Sequence, residues 1–176
     1  IASDIVPMTG ENRILMYHGL KQLNSNPNFG LKGIIDICRL GRKQLTLEDI
    51  VFKIGPRINA SGRMMNGKEA VELLLSPNMT SARIKTKSID QYNADRRELD
   101  KKITKQAINY IDNHVNIESL KGIVVYNETW HKGIVGIVAS RLTERYHRPA
   151  IVLTKSNGMI SGSARSVHGF DVYKAI

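Results

Sequence analysis

A chain of 176 residues is long enough for one full-sized hydrophobic core or two small ones. Its residues are 41% hydrophobic and 24% charged, without repeats or low-complexity tracts, which is the make-up of an ordinary soluble protein. The net charge of +10 and a pI near 9.8 favour a polyanionic partner such as nucleic acid.

No run of about 18 apolar residues occurs, so no segment of the sequence reads as a membrane span. No charged-then-apolar leader of the secretory kind is found either. Cys38 stands alone, which excludes an internal disulfide and a cysteine-built metal site, and it fits an intracellular setting. The chain opens on Ile1 and stops inside what reads as a starting helix, so the expectation is a fragment.

Residues 1–7 read as an apolar strand end with Asp4 set among Ile5, Val6 and Pro7. A carboxylate where a strand meets a loop can be a metal ligand, and it can equally be a cap or turn residue. Residues 11–23 place Ile14, Leu15, His18, Gly19 and Leu23 near a 3.6-residue period and predict a helix. After Pro27, Asn28 and Gly30, residues 31–40 repeat the pattern, with Cys38 as a small core residue and Gly41 as the terminator.

Thr46 and Asp49 stand at the two positions of a capping box, and residues 50–54 lead on from it. Residues 55–63, Gly-Pro-Arg-Ile-Asn-Ala-Ser-Gly-Arg, then read as a shaped loop. Gly and Asn tolerate positive φ and Pro fixes its own. Arg57 and Arg63 on such a loop suit a phosphate clamp, because each guanidinium is a planar fork of donors. An ordinary turn with solvated arginines fits the composition equally well. Residues 69–75 form a short apolar helix broken by Pro77.

Residues 80–112 carry the longest periodic pattern, with Ala82, Ile89, Tyr92, Leu99, Ile103, Ala107 and Tyr110 on one stripe. At 1.5 Å per residue this helix is roughly 50 Å long. Its charges read as a solvated face, and the narrow stripe suits a connector between domains better than a coiled-coil seam.

Beyond residue 120 the pattern becomes strand (122–126), helix (133–146), strand (150–154) and strand (159–166), a βαβ-like unit with further strands expected on its C-terminal side. Trp130, His131, Lys132, Gly133 and Gly136 lie at the strand-to-helix junction, where parallel α/β folds bind anions. His131 could bond a phosphate or merely be exposed, and Trp130 could stack on a base or anchor the loop to the core. Ser161, Ser163 and Arg165 share one strand face, with Gly162 and Ala164 on the other. Such a face suits an oxyanion, though a plain polar edge strand would look the same. No HExxH, zinc-type Cys/His spacing, Gly-x-Ser-x-Gly or P-loop is present.

Four blocks carry a resemblance to a known family: residues 3–13 (SDIVPMTGENR), 55–63 (GPRINASGR), 131–141 (HKGIVGIVASR) and 162–166 (GSARS). In order and spacing the chain resembles the RecJ family, single-strand-specific 5′→3′ exonucleases of the DHH phosphoesterase superfamily that act in DNA repair and recombination. The fold this implies is α/β. Residues 1–79 would be the helical C-terminal part of a DHH catalytic domain, 80–115 a connector helix, and 116–176 the first part of a DHHA1-like substrate-binding domain.

The resemblance further implies that Asp4 is one ligand of a two-metal Mn²⁺ or Mg²⁺ site. Metals so placed activate a water and stabilise charge on the phosphodiester. Arg57, Asn59, Arg63, His131, Ser163 and Arg165 would contact nucleic acid, Arg63 being first choice for the 5′-phosphate of a single strand. A cytoplasmic location, no membrane, and other DNA-repair proteins as possible partners follow from the same resemblance. The Asp-His-His and Gly-Gly-His blocks of the family are absent here, so the piece alone is expected to be inactive. Two alternatives stand beside this reading: a non-catalytic nucleic-acid-binding module, and a related phosphodiesterase acting on short oligonucleotides or cyclic dinucleotides.

Overall fold

The structure, a computed structural model, describes every residue except Ile5, Arg42, Val115 and Ile176. The helices are α1 (Gly10–Ser25), α2 (Phe29–Ile37), α3 (Leu47–Asp49), α4 (Gly55–Met64), α5 (Lys68–Leu74) and α6 (Met79–His114). There follow strand β1 (Ile123–Tyr126), helix α7 (Lys132–Tyr146), strands β2 (Ala150–Ser156) and β3 (Met159–Arg165), and the short helix α8 (Val172–Ala175). A π-helical stretch, Ile50–Ile54, joins α3 to α4. The fold is α/β. The chain divides into two compact units, Ile1–Asp95 and Arg96–Ile176, with α6 contributing its first part to one and its second to the other.

The first unit is helical. Ile34, Ile35, Leu40, Ile54, Leu73 and Ile89 are among the residues of its core, and Cys38 packs against it, as expected for a small apolar side chain. Burial raises the Cys38 thiol pKa, which keeps the group protonated and unreactive. Helix α2 ends two residues earlier than Gly41 suggested. Arg39, not glycine, takes the left-handed position at φ 57°. Arg39 N–H bonds the Asp36 carbonyl and Leu40 N–H the Ile35 carbonyl, a Schellman ending whose apolar partner is the buried Leu40.

Three further expectations are corrected. Residues 1–4 form a turn rather than a strand end, Asp4 N–H bonding the Ile1 carbonyl at 3.2 Å. In α1, Ile14 and Leu15 are each 59% exposed and only Leu23 is buried, so periodicity located the helix but not a buried face. On α6 the last stripe position is Ile111, 1% exposed, because Tyr110 turns outward.

The largest correction concerns residues 55–63, which form most of helix α4 and not a loop. Pro56 lies in the first turn, where a missing N–H breaks no bond and φ is already helical. Neither Gly55 nor Gly62 has a positive φ. Gly55 is needed for space instead: a Cβ there would overlap the Ser3 side chain.

The second unit builds a three-stranded sheet in the order β1-β2-β3. β1 and β2 are parallel, as the strand–helix–strand pattern predicts, and β3 returns antiparallel. Asn157 and Gly158, both at positive φ, make the tight turn between β2 and β3. Ile123 and Val125 of β1 and Ala150, Val152 and Thr154 of β2 are buried beside the Ile134, Val138 and Leu142 face of α7. The second part of α6 is fastened to α7 by ion pairs from Asp100 to Arg141 and from Asp112 to Arg145.

Candidate nucleic-acid interface

Each unit carries its own set of candidate groups. In the first, the approach to α4 is fixed by charge. Thr46 caps α3 reciprocally with Asp49. The Asp49 side chain is only 3% exposed and accepts bonds from Lys53 at 2.8 Å and Lys43 at 2.9 Å. The Lys53 ammonium, then that of Lys43, hold its carboxyl well below the usual carboxylate range against the opposing effect of burial.

The π stretch then feeds α4, and the helix sorts its polar residues by face. Asn59 and Arg63 are four apart and share one face; Arg57, two residues before Asn59, points away. Asn59 and Arg63 line an open cavity of about 910 Å³ together with Asp4, Ser3 and Ser61. Asn59 Nδ2 reaches the Ser3 carbonyl at 3.5 Å, and the Ser61 hydroxyl is used internally on the Ile58 carbonyl at 2.9 Å. Arg63 stands in the last turn of α4, where the helix dipole favours a cation.

Arg57 does not join this group. Its Nε donates to Asp90 Oδ1 at 2.7 Å and its Nη1 to the Lys53 carbonyl at 2.8 Å. The guanidinium thus ties the π stretch to α6, and Asp90 is a partner that spacing did not reveal. As for metals, no three of His, Cys, Asp and Glu gather into a metal site among the described residues. The donor set of this chain therefore does not by itself fit a divalent pair, which needs several oxygen or nitrogen ligands per ion. Asp4 could supply one.

In the second unit, His131 caps α7: its Nδ1 accepts the Gly133 N–H at 3.1 Å, which leaves Nε2 to carry the ring proton. Trp130 is buried, donates to Gln106 Oε1 at 3.0 Å, and its carbonyl accepts the Thr154 hydroxyl at 2.5 Å. It anchors the loop and leaves no ring face for a base.

Ser161, Ser163 and Arg165 do share a face, opposite the buried Thr154, Val152 and Ala150 of β2. That face lies against α7, with Ser161 and Ser163 half-buried and Arg165 still exposed. Gly136 makes room for it: a Cβ there would stand 3.2 Å from Ser163 Oγ and 3.3 Å from Arg165 Nη2. Arg165 donates Nε to Ser140 Oγ at 3.0 Å and Nη1 to Ser163 Oγ at 3.0 Å and the Ala164 carbonyl at 2.8 Å. The guanidinium is held rigid, which suits it to a fixed anion position. Ser161 Oγ is buried with no hydrogen-bond partner among the described residues. Gly136 was legible as a glycine of the strand-to-helix junction, but the part played by Ser140 was not, because it depends on a helix meeting a strand far along the chain.

Comparison with known proteins adds to this geometry. Residues 119–176 match the DHHA1 domain. The chain is 38% identical over 171 residues to the single-stranded-DNA-specific exonuclease RecJ of Haemophilus influenzae, a match covering 95% of this chain and 30% of that protein. For the proteins of the same name in Bacillus subtilis and Escherichia coli the identities are 36% and 32%, each over 99% of this chain and over 22% and 31% of theirs.

Among solved structures, RecJ from Thermus thermophilus in complex with Mg²⁺ superposes with a TM-score of 0.85 at 26% identity, over 99% of this chain and 26% of that one. An exonuclease RecJ bound to manganese gives 0.81 at 27% identity, over 98% of this chain and 42% of that one. The chain spans less than a third of the length of these curated relatives.

Proposed function

We propose that this chain, which belongs to the RecJ family over nearly its whole length, is the strand-gripping part of a metal-dependent exonuclease that shortens single-stranded DNA from its 5′ end in repair and recombination. The observation that carries the reading is the gathering of Asp4, Asn59 and Arg63 around one open cavity in the first unit. Arg63 receives the 5′-phosphate, offering two parallel donors to its oxygens. Asn59 adds a neutral donor. In the second unit, Arg165 and Ser163, with His131 through its free Nε2, contact the phosphodiester backbone. Arg57 remains a weaker candidate, since its guanidinium must leave Asp90 before it can meet a phosphate.

Asp4 contributes one carboxylate to a Mn²⁺ or Mg²⁺ centre whose other ligands come from outside this chain, and the isolated chain is inactive. The reaction belongs to the full-length, cytoplasmic enzyme. Support comes from the relatives, which are single-stranded-DNA-specific exonucleases, from the divalent ions in the two structural neighbours, and from the net charge of +10.

The test is Arg63→Ala in the full-length protein, with binding measured on 5′-phosphorylated and 5′-hydroxyl strands. Loss of one charge-assisted bond predicts about 1.5–3 kcal/mol weaker binding of the phosphorylated strand. The hydroxyl strand should be little affected. Equal losses on the two strands would reduce Arg63 to a general backbone contact, and nucleotide release by the purified chain with Mn²⁺ would overturn the assignment of its missing ligands.

A further inference from the structure

The acidic and basic residues of α6 do not cancel once the chain is folded. In the part of the helix within the second unit, the basic residues are Arg96, Arg97, Lys101, Lys102 and Lys105, and the acids are Glu98, Asp100 and Asp112. Asp100 is buried and takes both Nε and Nη2 of Arg141 at 2.8 Å each. Asp112 accepts from Arg145 at 3.2 Å and from the Tyr146 hydroxyl at 2.7 Å. Two of the three carboxylates are thus spent on α7. Asp100 lies on the side of the helix that buries Ile103, Ala107 and Ile111, and Asp112, half-exposed, lies near its far end, two turns beyond Lys105.

An exposed flank of the helix keeps its cations. Arg97, Lys101 and Lys105 are exposed, and none of them enters an ion pair or hydrogen bond among the described residues. Standing four residues apart, they form a row stepping about 6 Å along the axis each time. That step is on the scale of neighbouring phosphates in an extended strand. Glu98 is the single carboxylate beside the row, and Lys102 flanks it. A stretch already basic by five residues to three becomes more strongly so at its surface in the fold, because partners on α7 engage two of the acids and leave the bases to solvent.

We propose that Arg97, Lys101 and Lys105 form a track for the phosphodiester backbone of single-stranded nucleic acid, separate from the contacts assigned above. It rests on the single-strand reading of the preceding subsection and adds a surface to it. Three flexible, hydrated cations without a base-stacking partner hold the backbone without reading sequence. The track therefore strengthens grip on long strands and leaves the choice of 5′ end to other groups.

Salt dependence separates this role from a structural one. Affinity of the full-length protein for a 5′-phosphorylated oligothymidine is measured in metal-free buffer over a range of salt concentrations. Each backbone phosphate neutralised on a single strand contributes about 0.7 to the slope of log K against log salt. Arg97→Gln/Lys101→Gln/Lys105→Gln should therefore flatten the slope by about 2. The charge-keeping Arg97→Lys/Lys101→Arg/Lys105→Arg should retain it, which guards against an effect of the substitutions on folding. A triple-glutamine variant that binds DNA with the wild-type slope overturns the track, as it would if the row met an acidic protein surface instead. Failure of the wild-type protein to bind the strand at all is a different result, and it sinks the single-strand reading together with the track.

Discussion

Arg141 and Asp100 form one ion pair, yet removing either partner should have very different consequences. Asp100 has 6% of its side chain exposed and Arg141 has 49%. Arg141→Ala strips a buried carboxylate of its two 2.8 Å donors and leaves it only the Thr104 hydroxyl at 3.3 Å. Breaking a buried pair in this way costs about 3–5 kcal/mol, and the remaining hydroxyl places the expected value near the lower end, about 3 kcal/mol. Asp100→Asn leaves a half-exposed guanidinium that water can solvate, so about 1 kcal/mol is expected.

The double variant should fall near the Asp100→Asn value, because the stranded carboxylate is gone, which gives a coupling of about 3 kcal/mol. Trp130 is the sole tryptophan of the chain and is bonded to Gln106 of the same helix, so its fluorescence follows unfolding of this unit. For a unit of this size a 3 kcal/mol loss lowers Tm by roughly 12 °C or more. Single variants equal within about 0.5 kcal/mol, or an additive double variant, would refute the reasoning.

Two further outcomes can be checked by helical circular dichroism. The Asp49 carboxyl has its pKa lowered by Lys53 and Lys43, so its contribution is present above the ordinary Asp value of about 3.9 and is lost as pH falls below it. Lys53, raised by the same bond, loses its share only as pH rises past the usual lysine range. Asp49→Asn should flatten the acid limb of the Tm–pH curve, and an unchanged limb would argue against the pair. In α4, Gly55→Ala should destabilise by about 1–3 kcal/mol because its Cβ meets Ser3. Gly62→Ala meets only Gly67 Cα at 3.8 Å and should gain about 0.5–1 kcal/mol of helix stability. A reversed order would remove the packing account of Gly55.

Most of the fold was legible because it rests on local rules. The Thr46–Asp49 box, the long α6 period and the strand–helix–strand order each depend on neighbours within a few residues or one repeat. The tight turn was equally local and was passed over: Asn157-Gly158 between two apolar runs is a standard hairpin signal. Reading residues 55–63 as a loop failed for a physical reason. Gly and Pro are common loop formers, whereas Pro56 suits a first helical turn and Gly55 answers to Ser3, 52 positions earlier.

What the sequence determined by itself is the set of elements, the basic balance and the blocks that mark the family. Those follow from residue types and their spacing. What only the tertiary structure decided is which charged groups remain available. Asp90 occupies Arg57, α7 takes Asp100 and Asp112, and Ser140 and Ser163 hold Arg165. Charge is written residue by residue, but ion pairs form between elements far apart in the chain. Their pairing is set by packing, which no local pattern encodes.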